Sequence, residues 1–250
     1  MLDPVAVISL GGSIIAPPKA DSAPPKADLA PDSAPRGIDT VFLKGFYRLV
    51  EQRLAAEPRQ KLIIVCGGGS LARDYQAALR EVCPTASSDD LDWVGVAATR
   101  VNGELLRRVL REWCVEDLVT DPTAVSVFAG RILVAAGWKP GFSTDNDAVV
   151  LAQRFSSGTV VNLSNIAKVY SEDPKKNPAA KPVDRLSWKE MLKIVGSEWS
   201  PGKNTPFDPT AARSAAESRI RVIFAEGRDL ENLSRILAGA DFVGTTIGPD

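Results

Sequence analysis

Histidine is absent from the 250-residue sequence. Its absence excludes Ser-His-Asp hydrolases, Cys-His proteases, histidine-ligated metal centres and phosphohistidine chemistry. Any catalysis must therefore use carboxylates, lysine, arginine, backbone amides or a bound metal ion. Phosphoryl transfer is compatible with this set, because it depends mainly on positioning and on the neutralisation of charge.

Other features are scarce as well. Cys66, Cys83 and Cys114 are scattered and form no CxxC motif, which argues against a disulfide framework or zinc site and predicts a cytoplasmic protein. The formal net charge of -1 gives no overall basic field for nucleic acid or an anionic membrane. No apolar stretch approaches the roughly 20 residues that span a bilayer, and residues 1–10 lack the basic lead of a signal peptide.

Strand-like and helix-like patterns alternate along the chain. This alternation predicts one α/β domain over residues 1–250, with a mainly parallel sheet covered on both faces. The predicted strands are residues 5–10, 61–66, 115–120, 131–136, 159–165 and 221–224, and the predicted helices are residues 39–56, 70–82, 92–113, 143–155, 188–195, 208–218 and 230–237.

A low-complexity insert interrupts this pattern at residues 16–36. It is rich in proline and alanine, carries an imperfect seven-residue repeat and has almost nothing to bury. We expect either a tolerated surface insertion or a mobile flap beside the first glycine turn.

Two of the predicted strands end in glycine-rich turns that open helices. Gly11-Gly12-Ser13 follows the first strand, and Gly67-Gly68-Gly69 follows the second, with Arg73 one helical turn further on. Such turns bring backbone amides close to a phosphate. Neither turn has the Walker A or GxGxxG spacing. They therefore indicate either another phosphate-binding design with two ligands or, more simply, a tight turn and a surface arginine.

Several sequence blocks in order resemble the amino acid kinase superfamily and, within it, the UMP kinases of the archaeal type. The blocks are LGGS at 10–13, GGGSLAR at 67–73, DWVGVAATRVN at 92–102, PGFSTD at 140–145, NIAKVYSEDPKKNPAAK at 165–181, DPTAA at 208–212 and GTTI at 244–247. The resemblance implies a three-layer α/β/α sandwich, the amino acid kinase fold. It also implies transfer of phosphate from ATP to UMP, giving UDP in pyrimidine nucleotide biosynthesis.

The resemblance assigns an acceptor site to the first half of the chain. Asp92 is predicted at a helix start, where it either caps the helix or accepts hydrogen bonds from the nucleoside of UMP, and Asn102 lies further along the same helix. The residues implied in UMP binding are Gly67, Gly68, Arg73, Asp92, Thr99, Ser143 and Thr144.

The donor site and the catalytic groups follow from the same resemblance. ATP binding is assigned to Gly11, Gly12, Ser13, Asn165, Tyr170, Asp173 and Lys175, and catalysis to Asp145, Lys203 and Gly12. Asp145 is implied to orient cationic groups around the transferring phosphoryl. Mg²⁺ is expected with ATP, held mainly by phosphates and water because no carboxylate cage is evident.

Two positions depart from the pattern of these relatives. Ser9 stands where many amino acid kinases have lysine, so the catalytic cation is left to Lys203, Lys175 or Lys168. In addition, residues 165–168 read Asn-Ile-Ala-Lys instead of Asn-Val-Asp-Gly, which reshapes the adenine-side loop.

Two alternative functions remain open. One is another kinase of the superfamily, such as acetylglutamate kinase. The other is a non-catalytic protein of this fold that binds nucleotides or stores an oxyanion such as molybdate. For the kinase, we predict direct in-line transfer without a general base, because the acceptor phosphate is already ionised. The resemblance also implies a homohexamer.

Overall fold

The computed structural model describes residues 4–18, 37–172, 177–196 and 206–249. Within these ranges the chain forms seven strands and eight helices in an alternating order. The strands are β1 (Val5–Leu10), β2 (Lys61–Cys66), β3 (Ile132–Ala135), β4 (Thr159–Ser164), β5 (Arg185–Ser187), β6 (Arg221–Glu226) and β7 (Thr245–Gly248). The helices are α1 (Gly12–Ile15), α2 (Thr40–Ala56), α3 (Gly69–Val82), α4 (Ser88–Val109), α5 (Thr144–Arg154), α6 (Trp188–Val195), α7 (Pro209–Glu217) and α8 (Leu230–Ala238).

All seven strands belong to one sheet, in the order β3-β2-β1-β4-β6-β7-β5. The first five strands in this order are parallel, whereas β7 is antiparallel to β6 and parallel to β5. Strand β1 lies at the centre, where Ile8 pairs with Ile64 of β2 on one side and Val161 of β4 on the other. After β1 the chain adds β2 and β3 on one side of it and then returns to add β4 on the other side. The β1–β4 boundary is therefore the topological switch point of the sheet.

Two hydrophobic clusters cover the two faces of the sheet. Alternate residues of β1 point to opposite faces, so Ile8 belongs to one cluster and Val7 to the other. Helices α2, α4 and α8 pack on the first face, and α5, α6 and α7 pack on the second. The predicted α/β/α sandwich with a mainly parallel sheet is thus confirmed.

Local signals in the sequence fix several helix starts. Ser87 and Asp90 form a capping box at α4, and Ser187 and Glu190 form another at α6. Asp208 caps α7, with Pro209 in the first turn where its missing N–H costs nothing. Helix α4 therefore begins at Ser88, not at Asp92 as predicted.

The structure corrects one further expectation and adds elements that were not predicted. Residues 115–120 do not form a strand; Val119 makes a single bridge to Ala135 at the edge of β3. Helix α1 and strand β5 were not predicted, since four and three residues give no periodicity to detect. Most of the predicted insert at residues 16–36 lies outside the described residues. No helix in the described part of the chain is long and apolar enough to cross a membrane.

Candidate functional site

Two glycine loops meet at the carboxyl edge of the sheet. The first glycine loop (residues 11–13) follows β1 and the second (residues 67–69) follows the neighbouring β2. A Cβ atom on Gly12 would lie 2.0 Å from the backbone nitrogen of Gly69, and one on Gly67 would lie 2.5 Å from that of Gly12. The two main chains are therefore in direct contact, which only glycine permits. Gly69 also has a φ of +65°, in the left-handed region that favours glycine.

The second glycine loop is held from behind by α4. The buried amide of Asn102 donates to the carbonyl oxygens of Gly67 at 2.8 Å and Gly68 at 3.2 Å. Asn102 thus supports the loop. Arg73, on the first turns of α3, is exposed and forms no ion pair within the described ranges. Its guanidinium is therefore available to an anion at this loop.

Asp145 lies at the switch point and connects the two central strands. Its Oδ1 accepts a hydrogen bond from the Ser9 hydroxyl of β1 at 2.9 Å and from the Asn162 amide of β4 at 2.7 Å. Burial raises the pKa of Asp145 to about 6, and the nearby charge of Asp208 adds to this, while the bonds from Ser9 and Asn162 oppose it. Ser9 thus occupies the position of the missing lysine and holds the carboxylate.

A second and a third carboxylate lie close to Asp145. Asp147 is fully buried; its Oδ2 accepts from the Trp138 N–H at 3.2 Å, and its Oδ1 has no partner among the described residues. Burial raises its pKa to about 7, helped by Asp145, Asp121 and Asp208. Burial also raises the pKa of Asp208, whose carboxylate accepts from Ala211 N–H and from the Ser143 hydroxyl.

The β3–α5 loop (residues 136–143) forms the wall between α4 and α5. Asp92 accepts from the Gly141 N–H at 2.9 Å, and the Thr99 hydroxyl accepts from the Gly137 N–H at 2.8 Å. The Thr99 hydroxyl also donates to the carbonyl of Val96. Asp92 and Thr99 therefore position this loop, which leads directly to Ser143, the N-cap of α5, and to Thr144 and Asp145 in its first turn.

The predicted donor residues are only partly within the described ranges. Asn165 is exposed at the carboxyl end of β4, next to the first glycine loop, whose Gly11 N–H donates to Leu163. Tyr170 forms an isolated bridge with Pro182. Lys168, one of the three candidate cations, pairs with Asp184. The remaining predicted residues Asp173, Lys175 and Lys203 lie outside the described residues.

Sequence reasoning missed two charged residues near the site. Arg228 follows β6 and its Nη2 donates to the carbonyl oxygen of Ser13 at 2.8 Å, so a cation reaches the first glycine loop from a strand end distant in sequence. Asp147 was missed because an aspartate in the first turn of a helix normally faces water. The position of Arg228 just after a buried β-branched strand was the one available signal.

The site is therefore a row of backbone amides, hydroxyl groups and a partly buried carboxylate at the switch point. It offers two adjacent glycine loops, whose backbone amides are of the kind that binds anions, and no acid–base pair involving histidine. Such an arrangement can bind two phosphorylated ligands side by side.

Comparisons with known proteins agree with this geometry. The amino acid kinase family model matches residues 4–226. Uridylate kinase of Thermoplasma acidophilum is 33% identical over 251 residues, covering 98% of this chain and 96% of its own length, and that of Methanospirillum hungatei is 33% identical, covering 98% and 94%. The crystal structure of uridylate kinase from Archaeoglobus fulgidus aligns with a TM-score of 0.76 at 29% identity, covering 99% of this chain and 100% of that one. The chain belongs to the amino acid kinase family.

Proposed function

We propose that the chain is a uridylate kinase, which transfers the terminal phosphoryl group of ATP to UMP and releases UDP and ADP. The observation that carries this proposal is the direct backbone contact between Gly12 and residues 67–69. Two phosphate-binding loops that share a wall hold a donor and an acceptor phosphate next to each other. The archaeal relatives are uridylate kinases, and they align with this chain over nearly their full length. Their similarity supports UMP as the acceptor.

In the proposed reaction, the first glycine loop binds the terminal phosphates of ATP and the second binds the phosphate of UMP, assisted by Arg73. An acceptor oxygen attacks the terminal phosphorus in line, and the bond to the ADP oxygen breaks as the new bond forms. The acceptor phosphate is ionised near neutral pH, so no proton needs to be removed by a base. This agrees with a chain that has no histidine.

The role proposed for Asp145 is to orient the groups that neutralise the transferring phosphoryl. Its two hydrogen bonds, from Ser9 and Asn162, fix the carboxylate between β1 and β4. Arg228 supports the donor side by holding Ser13. We retain Lys203 as the proposed catalytic cation and Asp173 and Lys175 as proposed ATP ligands.

Mg²⁺ is proposed to accompany ATP. The described residues contain no group of three or more acidic or cysteine side chains arranged to hold a metal ion, which suits an ion held mainly by phosphates and water. Bound in this way, it would neutralise charge on the donor phosphates.

A homo-oligomer, by resemblance a hexamer, is part of the proposal. Only Ser70 is buried among the 14 residues of α3, although the helix carries an apolar stripe that includes Tyr75 and Val82. These side chains are 63% and 85% exposed, and Trp93 and Val101 of the adjacent α4 are 50% and 60% exposed. Exposed apolar side chains on two helices that contact each other indicate a protein–protein contact.

We further propose one domain over residues 1–250, because the sheet takes strands from both ends of the chain. A cytoplasmic location and a role in pyrimidine nucleotide synthesis are part of the same proposal.

The test is an ADP-release assay with ATP and Mg²⁺ in which UMP, CMP, dUMP, AMP, GMP, aspartate and acetylglutamate are offered in parallel. We expect turnover with UMP above all others, and its loss in Asp145→Asn. Asp92→Ala should raise the KM for UMP far more than that for ATP. Asp92→Asn serves as the matched control, because it keeps an acceptor for the Gly141 N–H.

Rapid turnover with acetylglutamate instead of UMP would reassign the acceptor. ATP binding without turnover on any acceptor would contradict the kinase and favour a binding or storage protein.

A further inference from the structure

A basic cavity of about 600 Å³ lies at the sheet edge opposite the glycine loops. We define the basic cavity by Arg185, Arg219 and Arg221, with Ile223, Thr246 and Phe242 as its apolar and neutral lining. The arginines come from the amino ends of β5 and β6 and from the residue two positions before β6. The glycine loops stand at the carboxyl ends, so the cavity is separate from the candidate active site.

The sheet register explains why these side chains converge. Arg185 of β5 pairs with Thr246 of β7, and Thr246 pairs with Ile223 of β6. Arg221 lies two residues before Ile223 and so projects from the same face. Helix α8 covers the central part of this face but ends at Ala238, which leaves the corner beside β7 open.

Within the described part of the chain, no carboxylate neutralises the charge of the cavity. None of the three arginines pairs with a carboxylate among residues 4–18, 37–172, 177–196 and 206–249. Arg221 donates one hydrogen bond, to the Thr159 hydroxyl at 2.9 Å. Three guanidinium groups on one concavity form a strong local positive field in a chain whose net charge is only -1.

Arg219 occupies a backbone position that disfavours arginine. Its φ is +54°, and it follows the last turn of α7 in a Schellman arrangement, with Arg219 N–H bonded to Ala216 and Ile220 N–H to Ala215. The corresponding left-handed position at the end of α8 holds Gly239. Arginine at such a position is strained, and strain retained in a fold points to a use for the side chain.

We propose that the basic cavity binds the polyphosphate chain of a phosphorylated small molecule. Guanidinium groups form paired, charge-assisted hydrogen bonds with phosphate oxygens, and three of them match a chain of two or three phosphates. The volume is that of a small-molecule site. Phe242 and Ile223 offer apolar surface that an attached nucleoside would contact. Inorganic polyphosphate and nucleoside triphosphates both contain such a polyphosphate chain.

The test measures triphosphate bound per chain, by equilibrium dialysis, for the wild type and for Arg185→Gln/Arg219→Gly. Glycine relieves the left-handed strain at position 219, so this variant should keep the wild-type Tm while losing two of the three charges. The matched control is Arg48→Gln/Arg111→Gln, which removes two exposed arginines elsewhere. One arm uses inorganic triphosphate, and the other uses ATP, CTP, GTP and UTP in turn.

We expect the cavity variant to bind one fewer triphosphate per chain, with the affinity at that site roughly 100-fold weaker. Turnover should be unchanged, because neither arginine contacts the glycine loops. Wild-type stoichiometry in the cavity variant, or an equal loss in the control, would overturn the proposal and leave the arginines as solvated neighbours of the α8 carboxyl end. Binding is read without turnover, so the result stands apart from the proposed kinase activity.

Discussion

Asp147 is a carboxylate enclosed in protein with one oxygen unpaired. Its pKa of about 7 in the native state lies well above the ordinary aspartate value of 3.8, so the native state binds the proton more tightly than the unfolded chain does. Its contribution to stability is therefore complete below about pH 4 and is lost as the pH rises through about 7. The raised pKa of Asp145 acts in the same direction up to about pH 6.

We predict that the Tm of the wild type falls between about pH 4 and about pH 7, and that Asp147→Asn flattens this fall. At about pH 8 the variant should be more stable by about 1–2 kcal/mol, because no charge needs to be buried. Thermal unfolding across this pH range measures the effect. Asp241→Asn, at an exposed carboxylate, is the control and should follow the wild type. Parallel curves for Asp147→Asn and the wild type would contradict the interpretation.

Arg228 holds the first glycine loop through Ser13, and this role can be tested. Arg228→Gln removes the hydrogen bond to Ser13, the ion pair with Asp39 and a positive charge beside the first glycine loop. We expect the KM for ATP to rise roughly 3- to 10-fold, in line with the loss of one hydrogen bond, with little change in the KM for UMP. Steady-state kinetics in both substrates distinguish this from a general loss of folding. Arg235→Gln, on the outer side of α8, should leave both constants unchanged.

Individual site residues were predictable to different degrees. Ser143, Thr144 and Asp145 form a contiguous motif, and the structure brings Asp145 to the switch point where the resemblance implied a central role. Asp147 and Arg228 carried no such motif. The burial of Asp147 depends on the packing of α5 against the sheet, and the contact of Arg228 spans 215 positions in the sequence.

Among the elements, the two glycine loops allow the sharpest test. Gly12→Ala places a methyl group 2.0 Å from Gly69 N and 2.5 Å from the Gly67 carbonyl carbon, both of them backbone atoms. The loops must separate to admit it. We expect a loss of stability of roughly 2 kcal/mol or more and of nearly all turnover.

Gly248→Ala provides the control for this change, because its Cβ would meet only Arg221 Cγ at an ordinary 3.8 Å. Unfolding by denaturant and the ADP-release assay measure both variants. A Gly12→Ala protein that unfolds and turns over like Gly248→Ala would refute the close contact of the loops.

The bounds of β1, β2 and α6 agree with the prediction, because buried β-branched runs and a strong helical stripe depend on local sequence alone. The start of α4 was misplaced at Asp92, although the Ser-x-x-Asp box at residues 87–90 marks it. The prediction of a strand at residues 115–120 was wrong, because β-branched residues give the same pattern in a strand and in a segment at the edge of the sheet. There, Val115 is 72% exposed and Val119 alone bridges to the sheet.

The exposed apolar stripe on α3 predicts that the protein associates with further copies of itself. We expect the wild type to sediment as a homo-oligomer and Tyr75→Asp/Val82→Asp to shift to smaller species, because a charge in an apolar interface is costly. Val41→Asp is the control, since Val41 is equally exposed (80%) but lies on α2, on another surface. Sedimentation velocity at matched concentrations gives the answer. A monomeric wild type would contradict the proposed interface.

The layer architecture followed from the alternation of elements, but the order of the strands did not. Pairing of β1 with both β2 and β4 joins segments more than 50 and 150 residues apart, and nothing local specifies it. The antiparallel β7 and the short β5 are likewise defined only by their neighbours. The basic cavity forms at this part of the sheet, which explains why the sequence alone gave no sign of it.

The contact between the glycine loops has a consequence for how specificity can change. The floor of both proposed phosphate sites is main chain, and no side-chain rotamer sets the distance between the two glycine loops. If Asp92 and Thr99 line the acceptor site as proposed, replacements there should alter which acceptor binds without altering the distance between the two glycine loops. Acceptor specificity can therefore change, in natural variation or laboratory evolution, while the geometry of phosphoryl transfer stays constant.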